Sequence, residues 1–159
     1  MTIEVGQTIP DVKLYEGTPG NAVQLGELVK GKKIVIFGVP GAFTPGCSKT
    51  HLPGYVSDYQ KYKDKSVDEI VCVSVNDPFV MAAWGESNNA QGKVRMLADS
   101  KAELTKALGL ELDLTDALGG LRMKRFSAVV EDGVVKHLNV EPTGGGLTCS
   151  LSNEILKQL

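Results

Sequence analysis

The chain has 159 residues, 42% of them apolar, and 17 lysines and arginines against 19 acidic residues leave a formal net charge of −2. That length builds one well-packed core and two only with difficulty, so a single domain over residues 1–159 is expected. Both signs are interspersed without a long basic run, which argues against nucleic acid. The longest apolar stretch, residues 34–43, is broken by glycine and proline and falls well short of a membrane span of about 20 residues, which argues against a membrane partner.

The first residues lack the basic start and apolar block of a secretory signal. Three scattered cysteines with no Cys-x-x-Cys pair suit a reducing, intracellular compartment rather than a disulfide scaffold. The final Lys157-Gln158-Leu159 faintly resembles a peroxisomal address, so cytoplasmic, mitochondrial and peroxisomal locations all stay open.

In chain order, residues 33–39 and 69–75 are β-branched runs apolar at nearly every position, as central parallel strands covered on both faces should be. Between them Leu52, Tyr55, Val56, Tyr59 and Tyr62 recur at helical spacing, predicting a crossover helix kinked at Pro53-Gly54. Asp77-Pro78 reads as cap and first turn of a helix carrying Phe79, Val80, Met81 and Trp84, followed by a short strand at 94–97. Ser100 to Glu103 has capping-box spacing, and the helix it opens stops near Gly109. Residues 110–121 alternate leucine with acidic residues and are left as a loop with a helical turn. Residues 126–130 and 134–138 flank Asp132-Gly133, a hairpin signal, and a last helix starts near Ser152 with Ile155, Leu156 and Leu159 inward. Parallel crossovers, then a hairpin and a closing helix, predict an α/β thioredoxin-like fold, a central mixed sheet flanked by helices.

Cys47 is the residue with chemistry to offer. Thr44 is a good N-cap and Pro45 a good first helical residue, so Gly46 and Cys47 fall where backbone N–H groups lack intrahelical partners and the helix dipole is positive. Keeping a thiol of ordinary acidity mostly ionised at neutral pH takes roughly 3.4 kcal/mol, whereas a helix end supplies about 0.3–1 and about 2 when partly buried. A fixed cation must supply the rest, and Arg95, Arg122 and Arg125 are the only arginines.

The segment Phe37-Gly38-Val39-Pro40-Gly41-Ala42-Phe43-Thr44-Pro45-Gly46-Cys47-Ser48 resembles the active site of the type-five peroxiredoxins, thiol peroxidases on a thioredoxin fold. Residues 74–80, Lys124-Arg125-Phe126-Ser127, Asn139-Val140-Glu141-Pro142 and Leu147-Thr148-Cys149-Ser150 extend the likeness over nearly the whole chain, although Glu111 to Asp116 differ from some members. The resemblance implies that Cys47 is the peroxidatic nucleophile, Thr44 its hydroxyl partner, Pro40 a shield over the sulfur and Arg125 the activating cation. It also implies that Cys149 is the resolving cysteine of an atypical two-cysteine, animal-like member. Gly46 and Cys47 N–H groups, Thr44 and Arg125 would then bind a hydroperoxide along its stretched O–O bond. A side-chain cap by Thr44 would compete for the Cys47 N–H, so one of those two roles conflicts with the other.

The activity implied by the resemblance is reduction of hydrogen peroxide and small alkyl hydroperoxides, with peroxynitrite held open as a further oxidant. No metal or organic cofactor is implied. A Cys47 sulfenic acid condenses with Cys149 to an intramolecular disulfide, thioredoxin is the reductant, and a homodimer is the assembly. The alternatives are a one-cysteine peroxidase turned over by an external thiol and a non-catalytic redox-sensing or partner-binding module. Cys72, inside an apolar strand, reads as core. His51 reads as packing or orienting Arg125 rather than as a metal ligand or a base for Cys47, and Arg122 and Lys124 as solvated charges. Phe43, Phe79 and Leu147 are read either as an apolar rim admitting alkyl peroxides or as core or dimer surface, and Trp84 as core.

Overall fold

The computed structural model describes residues 2–159. Seven strands form one sheet in the order β2 (Ala22–Gln24), β1 (Lys13–Tyr15), β5 (Val94–Ala98), β4 (Glu69–Ser74), β3 (Lys33–Gly38), β8 (Phe126–Glu131) and β9 (Val134–Val140). β3 runs parallel to β4, and β4 to β5, while β8 enters antiparallel to β3 and pairs with β9. The expected mixed central sheet is therefore present. Alternate residues of the central strands feed two cores: Ile34, Ile36, Val71 and Val73 pack on one face, and Val35, Phe37, Cys72 and Met96 on the other. Burying each such aliphatic or aromatic side chain contributes about 1.5–3 kcal/mol, which is why every position of β3 is apolar or small after its first residue.

The helices are α1 (Leu25–Val29), α2 (Leu52–Ser57), α3 (Tyr59–Asp64), α4 (Pro78–Ser87), α5 (Glu103–Leu108), α6 (Thr115–Leu118) and α7 (Ser152–Leu156). Asp77 caps α4 as expected, accepting from Val80 N–H at 2.8 Å. The hairpin turn is also as expected: Asp132 and Gly133 both take positive φ, 47° and 80°, as a tight two-residue turn matching strand twist requires.

Four features differ from the sequence reading. The crossover helix has no simple kink at Pro53-Gly54. It opens with a π-turn, Cys47–His51, in which Leu52 N–H reaches the Cys47 carbonyl, and it breaks at Asp58 between α2 and α3. Pro53 has no N–H for the next helical bond, so the widened turn loses little by ending there. Helix α5 is capped by Asp99 instead of Ser100: the buried carboxylate accepts from Leu104 N–H, Thr105 N–H and the Thr105 hydroxyl, while Ala102 takes φ 57°. Residues 110–121 fold into a small antiparallel pair, β6 (Glu111–Leu114) with β7 (Gly120–Met123), joined by α6. Strands β1 and β2, three residues each at one side of the sheet, are too short for a periodic signal.

Candidate active site

The site forms where the loop after β3, the strand β8 start and the loop after β9 converge. Cys47 is fully buried, and Thr44 Oγ1 lies 2.9 Å from its sulfur and 2.7 Å from the Gly41 carbonyl oxygen. A hydroxyl has one proton, so it can donate to Gly41 while receiving the Cys47 S–H, or rotate to donate to a sulfur that carries charge. Thr44 starts the helix through its backbone, with Ser48 N–H on its carbonyl oxygen, and not through its side chain. That removes the conflict foreseen from the sequence: among the described residues nothing takes the N–H of Gly46 or Cys47.

Arg125 is only 4% exposed, and among the described residues it forms no salt bridge. Its Nη1 donates to His51 Nδ1 at 2.9 Å, and its Nε reaches the Gly145 carbonyl at 3.4 Å. Its Nη2 lies beside Gly46, 3.2 Å from where a Cβ would stand, so the missing side chain lets the guanidinium approach the helix start. A buried cation without a carboxylate is expensive unless an anion arrives, and the nearby sulfur can provide one. The other two arginines divide clearly. Arg95 is paired with Glu16 and Glu69 on β5, away from the site, while Arg122 reaches the Pro40 and Leu118 carbonyls at 3.4 Å and is half-buried at the site's mouth, not a free surface charge.

His51 is fully buried, and both ring nitrogens are engaged. Because Arg125 can only donate, Nδ1 accepts, and the proton sits on Nε2, which donates to the Ser150 carbonyl at 3.1 Å. Burial first, and then the Arg125 charge, push its pKa down to about 3, so the ring is neutral. It is therefore spoken for, neither a base for Cys47 nor open to a metal, and it orients Arg125 as the sequence suggested. Trp84 is buried, with Nε1–H donating to Ser48 Oγ.

Cys72 is buried on β4 in the same cluster as Cys47. Burial foremost, then the neighbouring Cys47, push its thiol up, in keeping with a core residue. Cys149 is partly exposed, a free thiol whose Sγ reaches the Val140 carbonyl at 3.5 Å. Burial and then the Glu141 carboxylate raise its pKa. Glu141 is a site residue whose role the sequence did not disclose. Its buried carboxylate accepts from the N–H and hydroxyl groups of both Thr148 and Ser150, on either side of Cys149. Burial acts to raise its pKa, but these bonds outweigh it and hold it at about 2.

A pocket of about 390 Å³ lies at the start of this helix, bounded by Pro40, Thr44, Gly46 and Arg125 together with Leu112, Leu114 and Leu118; Cys47, fully buried, stands behind Thr44 and Gly46 and is not itself in its lining. The apolar wall thus comes from the stretch least legible in the sequence. Leu147 lies beside Gly46, whereas Phe43 and Phe79 are 55% and 60% exposed and do not line the pocket.

A family profile described as Redoxin matches residues 4–154. The chain is 45% identical to Peroxiredoxin-2B of Arabidopsis thaliana over 160 aligned residues, covering 99% of this chain and 98% of that protein. The chain belongs to the peroxiredoxins. The crystal structure of reduced Prx3 from Vibrio vulnificus in complex with H2O2 superposes with a TM-score of 0.91 at 48% identity, covering 99% of both chains. Peroxiredoxin 5 from Alvinella pompejana gives 0.85 at 41%, covering 98% of both. The fold is accordingly the thioredoxin-like one of the type-five peroxiredoxins, and this peroxiredoxin is a thiol-dependent peroxidase, an oxidoreductase. Among its described residues no helix is long and apolar enough to cross a membrane.

Proposed function

We propose that this peroxiredoxin, as a single domain, reduces hydrogen peroxide and small alkyl hydroperoxides through Cys47, and that Cys149 resolves the product into an intramolecular disulfide reduced by thioredoxin. The observation that carries it is the buried Cys47 sulfur, 2.9 Å from the hydroxyl of Thr44, which lines a pocket together with an Arg125 that has no carboxylate partner among the described residues. The Cys47 thiolate donates an electron pair to one peroxide oxygen, the O–O bond breaks, and the departing oxygen takes a proton to leave as water or an alcohol. Arg125, Thr44 and the free N–H groups of Gly46 and Cys47 are fixed donors for the charge that moves from sulfur to the leaving oxygen. Pro40 lines the same pocket, which suits the shielding role the resemblance implies, and its leucine wall accommodates an alkyl tail. Peroxynitrite, an anion, suits the same cation.

The Cys47 sulfenic acid then condenses with the Cys149 thiol, forming an S–S bond and releasing water, and a dithiol reductant restores both thiols by two exchanges. Three free thiols suit a reducing intracellular compartment. For assembly, a homodimer is supported by the exposed Phe43 and Phe79; the loop of the first is tied to the segment leading into α4, which carries the second, by Ala42 N–H donating to Asn76 Oδ1 at 3.0 Å.

One equivalent of hydrogen peroxide should make the intact chain two hydrogens lighter, and peptide mapping should place the link between Cys47 and Cys149. NADPH consumption through thioredoxin reductase and thioredoxin should require peroxide and vanish in Cys47→Ser. A link to Cys72, which shares the buried cluster with Cys47, or full turnover by Cys149→Ser would replace the resolving assignment. Activity in Cys47→Ser would overturn the whole reading.

A further inference from the structure

Arg122 is the arginine that neither a carboxylate nor the peroxide chemistry occupies. Among the described residues it forms no salt bridge, and its Nη1 and Nη2 reach only the Pro40 and Leu118 carbonyls, both at a long 3.4 Å. A guanidinium offers five N–H donors in a flat fork, so most of its capacity is open. Gly41 shows where it stands. Around the point at which a Gly41 Cβ would sit crowd Arg122 Nη1 at 3.1 Å, the Thr44 methyl at 3.2 Å and Leu118 Cδ1 at 3.6 Å. Thr44 and Leu118 line the pocket, so this half-buried cation is at its rim, at their end.

The β6–β7 ribbon sorts charge between its two faces. Leu112 stands opposite Arg122 and Leu114 opposite Gly120, so these share one face, and both leucines line the pocket. Glu111 and Asp113 stand opposite Met123 and Leu121, one residue out of phase, and fall on the other face. The Asp113 carboxylate is further engaged by the N–H and hydroxyl of Thr115. A leucine wall therefore ends on an uncommitted cation, with the ribbon's acids turned away. Hydrogen peroxide is too small to use either feature.

We infer that Arg122 is a specificity-determining residue, which selects alkyl hydroperoxides that carry a carboxylate at the far end of a short chain. The peroxide meets Cys47 beside Thr44 and Arg125, the chain lies along the leucines, and the carboxylate accepts paired N–H bonds from Arg122. Cys47 supplies the electron pair as before, so the products are its sulfenic acid and the matching hydroxy acid. This rests on the Cys47 reading above and not on that of Cys149.

The probes are hydroperoxides of butanoic, hexanoic and octanoic acid, with the peroxide on the terminal carbon, each beside its methyl ester. The readout is the acid-to-ester ratio of the rate constant for Cys47 oxidation at low ionic strength, because a wider mouth or a looser fold alters both members alike. In the wild type the ratio should reach about tenfold at one chain length and shrink with added salt. Arg122→Gln should bring it to about one or below. Lys124→Gln removes the same charge at the other end of the wall, beside Leu112 and Gly144, and should leave the ratio as it is. A wild-type ratio near one at every length, a ratio that survives Arg122→Gln, or an equal loss in Lys124→Gln would overturn the inference, the last two by handing the selectivity to Arg125 or to net charge.

A second measurement needs no turnover. In Cys47→Ser the hydroxy acids, which lack the peroxide, should shift the Arg122 Nε–H resonance, and their methyl esters should not. No shift with any acid, or the same shift with the esters, would sink the selection by Arg122. Consumption of hydrogen peroxide tests Cys47 itself, so the Cys47 reading can fail while this contact stands, and the reverse.

Discussion

Thr44 carries more of the chemistry than its place as a helix-starting residue implies. Its hydroxyl stands between the Gly41 carbonyl and the Cys47 sulfur, so its proton can follow the charge on that sulfur. A hydrogen bond to a charged group is worth about 1.5–3 kcal/mol, and Thr44→Val removes it with little change in volume. The peroxide reaction should fall by about ten- to a hundredfold in Thr44→Val and largely recover in Thr44→Ser, read from single-turnover kinetics. An unchanged rate in Thr44→Val would mean that Arg125 and the backbone N–H groups suffice. Residue patterning singled out Thr44 and Cys47 through the turn-and-cap segment, whereas it left three arginines open and only the family resemblance favoured Arg125. Glu141 was opaque, since a glutamate at a strand end looks like any solvated acid until five hydrogen bonds close on it.

At the scale of elements, the Cys47 turn and the loop after β9 each hold a group whose pKa falls on folding, His51 in the turn and Glu141 in the loop. The folded His51 ring refuses a proton until about pH 3, whereas an ordinary histidine takes one near 6.5. Its contribution to stability is complete above about 6.5 and is lost as pH falls toward 3, because the unfolded chain binds the extra proton. Glu141 is held at about 2 against an ordinary 4.5, so its contribution is complete above 4.5 and fades toward 2. Urea unfolding at stepped pH should show stability declining from pH 6.5 to 4.5, by at most about 1.4 kcal/mol per unit from His51, and more steeply below 4.5. His51→Gln should flatten the part between 6.5 and 4.5 and make the decline below 4.5 shallower, leaving the Glu141 share. An identical slope in wild type and variant between 4.5 and 6.5 would show that this ring is not the group responsible. Residues 110–121 teach the same lesson about elements: alternating leucine and acid read as a loop with a helical turn, whereas residues 111–114 pair with β7 and Leu112 and Leu114 line the pocket.

For the molecule as a whole, two large aromatics remain without cover. Phe43 takes φ 65°, a conformation disfavoured for a bulky residue, in the loop that Asn76 ties toward the start of α4, where Phe79 stands. A second copy on this face would cover both, and a stable interface needs about 800 Å² from each partner, more than two rings provide. Sedimentation should find wild type as a dimer and Phe79→Glu shifted to monomer. A monomeric wild type at micromolar concentration would leave the aromatics to another partner.

The sequence alone determined the central strands, the hairpin turn and the Asp77 cap. Each rests on forces acting within a few residues: apolar runs that must be covered, a turn that demands positive φ, a side chain that reaches its own helix. Only the tertiary structure decided which arginine stays unpaired beside the sulfur, that His51 is held neutral between Arg125 and Ser150, and that Glu141 clamps the Cys149 loop. Those outcomes depend on desolvation and on partners dozens of residues away, and neither leaves a period or a spacing in the chain.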